Sequence, residues 1–321
     1  MLVMTLLVRN EEELLESNLR YHFAQGVDFV IATDHGSTDA TPEILRDYEA
    51  RGLARVFREE GSEHHQSRRV TRMARLAAVE YGADWVINND GDEFWWPAVG
   101  SLADVLSAIP ERYGQIVAQR NNFLPCPFEE VGPFYERFVV REKQSQNLVG
   151  RRLEPKVAHR GRPDVVVAPG NHSISGSDLQ PTPPLDLLEV LHFPMRTGSQ
   201  FERKVLATGI GYESLPSRSP EVGRDQLALL ALQREGRLSD YFAKQVLSDE
   251  QLAAGLAGGR LIVDRRLARF IAELELAGAR GPGGSSAGPD SDTARALVAA
   301  ALRGPSDLPD LTLEGNSATG R

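Results

Sequence analysis

The chain has 321 residues, which allows one large domain or two modest ones at about 150 residues per domain. Hydrophobic residues at 41% and charged residues at 25% are globular values and exclude a disordered chain or a fibre. The formal net charge of −9 argues against a general nucleic-acid binder, because such proteins are usually basic. A single cysteine, Cys126, excludes an intramolecular disulfide framework and a metal site built from several cysteines.

The sequence contains no run that approaches the about 20 apolar residues of a membrane span. Its apolar opening, Met1–Val8, ends at Arg9 and Asn10, too early for a secretory signal with its cleavage site. Together with the lone cysteine, this predicts a soluble, cytoplasmic protein with no integral membrane segment and no nucleic-acid partner.

The first hundred residues alternate strand and helix patterns. The run Met1–Val8 predicts a strand buried on both faces, and the helix after it ends at Gly26. Asn10 and Glu13 have the spacing of a capping box for that helix. Further strands are predicted over 28–33, 53–57 and 84–88, with helices between them, the first of which starts at Thr41-Pro42. This alternation predicts an α/β fold with a mostly parallel sheet and helices on both faces.

The second half of the chain is less regular. Residues 100–170 mix strand-like pieces with proline-rich connections and indicate the second half of the same domain. Ser199 and Glu202 have capping-box spacing and predict a helix over 199–208, followed by helices at 224–234, 237–247, 248–257 and 261–276. We therefore expect a domain over 1–210, a helical extension over 211–277, and a flexible linker and tail over 278–321 with a short helix near 293–302.

Polar clusters follow three of the predicted strands at the point where each strand ends. They are Arg9–Glu13, Asp34–Asp39 and Asp90–Glu93. Ligands of open parallel sheets bind at the carboxyl ends of the strands, where the strand order switches. We therefore expect the three clusters to share one site.

The third cluster has the spacing of a metal site. Asp90 and Asp92 flank Gly91, so both carboxylates can point into one small volume and hold Mg²⁺ or Mn²⁺ together with phosphate oxygens. An acidic turn is the alternative, since Asp-Gly is a common turn pair. The third acid, Glu93, beside apolar Phe94 favours the metal site.

In combination, the clusters resemble the inverting, nucleotide-sugar-dependent glycosyltransferases of the GT-A fold, family 2 in the broad sense. The similarity is greatest to a bacterial branch with the metal motif Asp-x-Asp-Glu-Phe. The matching segments are Val8–Glu11, Asp34–Thr41, Asp90–Phe94 and Leu191–Pro194 with Phe201 and Lys204, within about residues 1–210. The resemblance implies transfer of a hexosyl group from a nucleotide-sugar donor of the UDP type to a hydroxyl of a glycan or small-molecule acceptor.

The resemblance also implies residue roles. It places Asp34 at the nucleotide base, Asp92 on the metal, and Asp90 at the ribose or at the metal through water. The expected cofactor, Mn²⁺ or Mg²⁺, would neutralise the charge that develops on the departing diphosphate. Asn10 and Glu11 are also expected at the substrate, although Glu11 could serve only the dipole of the helix that it begins.

Two histidines are candidate site residues. His192 follows a predicted strand and is expected to complete the metal sphere, with a packed histidine as the alternative. The Glu-Asp pair that carries the general base in many family 2 enzymes is missing between Asp92 and His192. His172 is therefore the nominated base, and Asp164, Asp178 and Asp186 stay open as alternatives.

Basic residues supply candidate phosphate ligands. Cations at a helix N-terminus suit a diphosphate, and Arg68 is expected to bind the donor there, with a solvated basic face as the alternative. Lys156, near His159, is a further candidate. The cluster at the helix start consists of His64, His65, Arg68, Arg69 and Arg72.

The segment Asn121–Arg137 is the candidate acceptor site. Its aromatic residues alternate with polar ones, a mixture that stacks on sugar rings and binds hydroxyls, and burial in the core is the alternative. The aromatic residues are Phe123, Phe128, Phe134 and Tyr135.

Three other functions are considered as alternatives to glycosyl transfer. A nucleotidyltransferase usually has a Gly-x-Gly-x-x-Arg segment after its first strand, and Arg9-Asn10-Glu11 has no glycine. The absence of Gln-x-x-Arg-Trp argues against a processive polysaccharide synthase. A carbohydrate-binding or nucleotide-sugar-binding scaffold is compatible with the missing Glu-Asp pair, but Asp34, Asp90 and Asp92 argue for an enzyme.

Overall fold

The computed structural model describes residues 1–59, 66–126, 132–146, 152–215, 222–279 and 291–303. Its centre is an eight-stranded sheet in the order β3-β2-β1-β4-β8-β6-β11-β5, and two further strand pairs, β9-β10 and β7-β12, lie beside it. The strands are β1 Leu2–Val8, β2 Phe29–Asp34, β3 Ala54–Arg58, β4 Trp85–Asp90, β5 Glu93–Pro97, β6 Gln115–Asn122, β7 Val140–Glu142, β8 Lys156–Arg160, β9 Val166–Val167, β10 Ile174–Ser175, β11 Leu188–His192 and β12 Leu261–Val263.

Helices cover the sheet and form the C-terminal part of the chain. They are α1 Glu12–Ala24, α2 Thr41–Ala50, α3 Gln66–Val79, α4 Leu102–Ala108, α5 Phe134–Arg137, α6 Gly198–Glu213, α7 Arg224–Arg234, α8 Leu238–Gln245, α9 Asp249–Ala257, α10 Arg266–Ala279 and α11 Ser291–Arg303, with a 3₁₀ turn at Pro169–Asn171. Among the described residues, no helix combines the length and apolar character that crossing a membrane would require.

The sheet confirms the predicted α/β fold. Strands β3, β2, β1 and β4 are parallel neighbours, and β6 and β11 form a second parallel pair. Strand β8 runs antiparallel between β4 and β6, and β5 pairs antiparallel with β11 at the edge. The chain passes outward from β1 to β2 and β3 and then returns to β4 on the other side of β1. The strand order therefore reverses at β1.

Strand β1 is buried on both faces because its alternate side chains enter different cores. Met4 and Leu6 belong to the larger core, and Val3 belongs to the core beneath α3. This alternation follows from the two-residue period of a strand. It explains why β1 is a continuous apolar run, as is typical of parallel sheets that are covered on both faces.

A third core is aromatic and includes most of the segment proposed for the acceptor. Phe123, Phe134 and Tyr135 are buried there beside Phe94 and Phe193. The alternative considered from the sequence, burial of these rings in the core, is therefore the correct one. Residues 127–131, with Phe128, lie outside the described residues.

Both predicted capping boxes are wrong. Helix α1 has Glu11 at its N-cap, and Asn10 has a φ of 55° and accepts a hydrogen bond from the Thr38 backbone N–H at 2.8 Å. Helix α6 has its N-cap at Thr197, two residues before Ser199, because the Thr197 hydroxyl accepts the hydrogen bond from the Gln200 N–H. At α1, the Asn10 side chain that the pattern assigned to the helix instead binds a loop that is distant in the chain. At α6, a residue that precedes the predicted box caps the helix.

The C-terminal helix α11 lies against α4, with Ala294 and Val298 buried and Val298 in the larger core. It matches the short helix expected near 293–302. The predicted linker falls mostly on residues 280–290, outside the described residues. The division at residues 210 and 277 remains a prediction.

We expect His22 to make the fold sensitive to acid. Its ring is fully buried, Nδ1 donates to the Asn18 carbonyl at 2.8 Å, and Nε2 accepts from the Trp95 N–H at 3.3 Å. Burial lowers the pKa of His22 from 6.5 to about 4. Between those values the unfolded chain takes up a proton that the folded chain excludes, so stability falls as the pH falls, by about 3 kcal/mol over the window.

Urea unfolding between pH 7 and 4.5 measures this effect. In His22→Leu, the slope of the unfolding free energy against pH should be shallower by about 1.4 kcal/mol per pH unit, one proton's worth. His159 is also fully buried, with its pKa lowered to about 4, and supplies a similar slope that the substitution leaves in place. An unchanged slope in the variant would contradict the assignment to His22.

Candidate functional site

A cavity of about 460 Å³ opens at the carboxyl ends of β1 and β4, where the strand order reverses. Its volume is within the range of small-molecule sites, about 300–1,000 Å³. One wall is polar and comes from the strand ends, and the other comes from α6 and α7. The polar wall contains Arg9, Asn10, Glu11, His35, Gln66, Arg69, Asp90, Asp92, Arg120, Lys156, His172 and His192.

The structure brings most of the predicted site residues into this cavity. They are Asn10, Glu11, Asp90, Asp92, Lys156, His172 and His192. Arg68 is exposed on α3 and does not line the cavity, and its neighbour Arg69 does, because successive residues of a helix face different directions. His64 and His65 lie outside the described residues.

Asp34 is not part of the described cavity lining, although its neighbour His35 is. It is almost fully buried, and its Oδ1 accepts a hydrogen bond from the Ser37 N–H at 3.0 Å. The Ser37 hydroxyl in turn accepts from the Asn10 N–H at 2.9 Å. Asp34 thus holds the turn that fixes Asn10 at the cavity wall.

Asp90 is held by a buried lysine. Nζ of Lys156 lies 2.6 Å from Asp90 Oδ2 and 3.0 Å from Glu93 Oε1, and the Lys156 side chain is 1% exposed. Burial raises the pKa of Glu93 to about 7, against the opposing effect of Lys156. Strand β8 supplies Lys156 and pairs with β4, so the antiparallel strand inserted into the sheet supplies the cation for the acids that follow β4.

Asp92 lies between Lys204 and His192. The Lys204 ammonium bonds Asp92 Oδ2, and His192 Nε2 is 3.5 Å from the same oxygen. Burial opposes the charged carboxylate, but the Lys204 ammonium outweighs it and holds the pKa of Asp92 well below its usual range. Asp92 is therefore ionised, and its charge is already balanced by an ammonium group.

His192 is neutral and has one defined tautomer. Burial lowers its pKa to about 4, and Nδ1 donates a hydrogen bond to Asn122 Oδ1 at 2.7 Å. The proton is therefore on Nδ1, and the lone pair of Nε2 faces Asp92.

Arg196 joins the loop after β11 to the loop after β1. Its Nη2 lies 2.6 Å from Glu11 Oε2 and its Nε 2.9 Å from Glu13 Oε2, while Nη1 donates to the Phe193 carbonyl at 3.1 Å. The Arg196 side chain is 1% exposed. Burial raises the pKa of Glu11, and the ion pair with Arg196 opposes that rise. Glu11 is therefore bound within the protein as well as exposed to the cavity.

Of the four base candidates, only His172 lines the cavity. Its Nδ1 donates to the Pro155 carbonyl at 2.9 Å, and burial, with Lys156 nearby, lowers the pKa of His172 to about 4. The ring is thus neutral, with the Nε2 lone pair able to accept a proton. Asp164, Asp178 and Asp186 are exposed and are not part of the described cavity lining.

The cavity is cationic although the whole chain is acidic. Six Lys and Arg side chains line it against three carboxylates, which leaves three formal positive charges, compared with −9 for the chain. The cations are Arg9, Arg69, Arg120, Lys156, Arg203 and Lys204. This local excess is suited to an anion of two or three charges, such as a diphosphate.

Several residues of the site were not identified from the sequence. Arg120 and Asn122 lie at the polar end of β6, and a strand that ends in Arg-Asn-Asn at the ligand-binding edge was an available signal. Lys204 was among the residues that resemble the GT-A glycosyltransferases, but the resemblance assigned no role to it. Nothing near Arg196 in the sequence indicates its pairing with Glu11.

The expected divalent-metal site does not form as the sequence suggested. Asp92 and His192 converge, but the Asp90 carboxylate is bound by Lys156. The described residues contain no group of three or more His, Cys, Asp or Glu side chains placed to hold a metal. Since each expected carboxylate ligand already binds a lysine, the residues as arranged do not fit Mn²⁺ or Mg²⁺.

No protein-family model and no curated protein matches the sequence. Solved structures do match. Staphylococcus aureus TarS 1–349 is 14% identical, with 86% of this chain and 91% of that chain covered and a TM-score of 0.38. Its complex with UDP-GlcNAc is 13% identical, covering 93% and 90%, with a TM-score of 0.37.

A second match is glucosyl-3-phosphoglycerate synthase from Mycobacterium tuberculosis in complex with Mn²⁺, UDP and phosphoglyceric acid. It is 20% identical, with 37% of this chain and 43% of that chain covered and a TM-score of 0.26. At these identities and TM-scores the matches assign no function to this chain.

We expect Arg196→Met to destabilise the protein by about 3–5 kcal/mol, because the substitution leaves the buried Glu11 carboxylate without its cation. Chemical denaturation measures the loss. Glu13→Gln is the matched control: Glu13 is 31% exposed, so its variant should lose about 1 kcal/mol or less. Equal losses of stability in the two variants would contradict this expectation, because the buried ion pair with Glu11 would then contribute no more than the exposed one with Glu13.

Proposed function

We propose that the protein is a glycosyltransferase that moves a sugar from a nucleoside-diphosphate donor to an acceptor hydroxyl by single displacement, with inversion at the anomeric carbon. The observation that carries the proposal is the cationic cavity at the point where the strand order reverses. The resemblance of the polar clusters to GT-A glycosyltransferases supports a donor of the UDP type.

In this proposal the diphosphate binds among the cations of the polar wall. Arg120 is a suitable contact: its side chain is 16% exposed, its Nη1 is 3.7 Å from Glu93, and its Nε has no hydrogen-bond partner among the described residues. A guanidinium with an unused donor is suited to two phosphate oxygens. Asn10 and Glu11 are proposed as further donor contacts, and Asp34 acts by holding their loop.

The wall formed by α6 and α7 is partly apolar. Phe201, Val205 and Leu229 line it, on the same wall as Arg203 and Lys204 and opposite the cations of the strand ends. A nucleotide sugar has both characters, since its phosphates are charged and one face of a sugar ring or base is apolar. The cavity therefore suits such a donor better than it suits a small inorganic anion.

The proposed reaction needs a base and a stabilised leaving group. His172 Nε2 would take the proton of the acceptor hydroxyl as the hydroxyl oxygen bonds to the anomeric carbon. The bond from that carbon to the diphosphate breaks on the opposite side, and the electron pair leaves with the diphosphate, whose charge the cavity cations stabilise. No step is assigned to Mn²⁺ or Mg²⁺, because the residues as arranged do not fit the metal site that the sequence suggested.

A thermal-shift and calorimetric panel of UDP, GDP, CDP and dTDP tests donor binding. At a concentration of 100 times Kd, the correct diphosphate should stabilise the protein by about 2.7 kcal/mol, whereas uncharged uridine should not. Arg120→Met should weaken binding, and Arg51→Met, which replaces the exposed arginine that caps the C-terminus of α2 outside the cavity lining, should not. The absence of binding by every diphosphate would refute the proposal.

Replacement of His172 tests the chemical step. His172→Ala should reduce transfer by about 10²–10⁴-fold, the typical contribution of a general base, while donor affinity is retained. Asp164→Ala, in an exposed residue outside the described cavity lining, should keep full activity. Loss of donor affinity in His172→Ala would place the histidine on the nucleotide side, and full activity would return the role to the aspartates. Donor binding without transfer or hydrolysis in the unmodified protein would instead indicate a binding scaffold.

A further inference from the structure

Lys204 holds the position at Asp92 that a divalent cation would need. It is on α6, its ammonium bonds Asp92 Oδ2, and 37% of its side chain is exposed in the cavity. Lys156 differs from it, because its side chain is 1% exposed and lies between Asp90 and Glu93. Of these two lysines, Lys204 is the one with room for a ligand.

We propose that Lys204 is the cation that neutralises the donor diphosphate, so that donor binding does not require a divalent metal, and that a metal can bind at Asp92 only when Lys204 is removed. This inference rests on the proposed function and names the group that performs one part of it. Nothing in the sequence motif distinguishes this use of Asp92 from metal ligation.

The chemistry of an ammonium group supports the assignment. Lysine has three N–H donors, and one bond to Asp92 leaves two for phosphate oxygens. Asp92, which is 5% exposed, fixes the position of the charge, while the exposed part of Lys204 can meet the ligand. Asp92 would thus orient a cation whether that cation is a metal ion or a lysine. In this proposal the cation is the ammonium group of Lys204.

The charge balance of the cavity points the same way. The described lining already carries three formal positive charges, which match a nucleoside diphosphate without help. A divalent ion bound at Asp92 would add two more beside Lys204 and Arg196. Like charges at such short range repel unless one of them moves away.

Removal of Lys204 should expose a latent metal site. Asp92 would lose its ammonium partner, and His192 Nε2, kept unprotonated by the Asn122 contact, faces the same carboxylate oxygen at 3.5 Å. A carboxylate and an imidazole, completed by phosphate oxygens, are suitable ligands for Mn²⁺. The Lys204 variant should therefore gain a dependence on metal that the unmodified protein lacks.

Calorimetry of UDP binding in EDTA and in excess Mn²⁺ tests this, with the full chain in each case. The unmodified protein should bind UDP equally well in both. Lys204→Ala should bind about 10- to 100-fold more weakly in EDTA, the loss of a charge-assisted hydrogen bond, and should recover affinity with Mn²⁺. Lys244→Ala, in an exposed lysine of α8 outside the described lining, is the matched control and should behave as the unmodified protein does.

Electron paramagnetic resonance of Mn²⁺ gives a readout that is independent of activity. In the presence of UDP, Lys204→Ala should bind Mn²⁺, and the unmodified protein should leave it free. If Lys204→Ala does not fold, Lys204→Gln, which keeps a donor for Asp92 without the charge, provides the same comparison.

The outcomes separate the two proposals. UDP binding by the unmodified protein only in Mn²⁺, or unchanged binding by Lys204→Ala in EDTA, would overturn the role of Lys204 and leave the proposed function standing. Failure of every nucleoside diphosphate to bind, with or without Mn²⁺, would instead overturn the proposed function.

Discussion

The reversal of strand order at β1 is the constraint on which the rest of the structure depends. Strands β2 and β4 are both parallel to β1 and lie on opposite sides of it, so the segments that follow β1 and β4 emerge at the same sheet edge, where the cavity opens. Because β1 is buried on both faces, its strand is almost wholly apolar, and the polar residues Asn10 and Glu11 come only after it ends.

Carboxylates at the edge of a buried sheet need compensation, because removing a charge from water costs several kcal/mol. In this protein the compensation comes from later parts of the chain. Lys156 from β8, Arg196 after β11 and Lys204 from α6 each bond an acid that ends β4 or follows β1 or β4. The same pairs give the cavity its charge, so the contacts that stabilise the strand ends also produce an anion site.

The buried histidines share one physical arrangement. In His22, His172 and His192, burial lowers the pKa to about 4, and an oxygen acceptor holds the proton on Nδ1. Each ring therefore presents a defined Nε2 lone pair. In the core that lone pair accepts a backbone N–H, and in the cavity it lies near a carboxylate, Glu154 for His172 and Asp92 for His192. The three rings are oriented in the same way, by the hydrogen bond at Nδ1. They differ in chemistry because different groups lie opposite Nε2.

The sequence by itself determined the alternating elements, the positions of the first four strands, and the convergence of Asn10, Glu11, Asp90 and Asp92 at one sheet edge. These features follow from local patterns, since side-chain periodicity and strand-terminal polarity are encoded within a few residues. The tertiary structure decided that Asp34 holds the turn beside Asn10, that Arg68 lies outside the cavity lining, and that aromatic residues of the 121–137 segment enter the core.

The tertiary structure also decided the electrostatics of the site. The pairs Lys156–Asp90, Lys204–Asp92 and Arg196–Glu11 join residues that are 66, 112 and 185 positions apart. No local pattern encodes such a pair, because each depends on which strand is inserted beside which. A motif of two aspartates can therefore be recognised in the sequence, but whether a metal ion or a lysine balances their charge is settled only when the chain has folded.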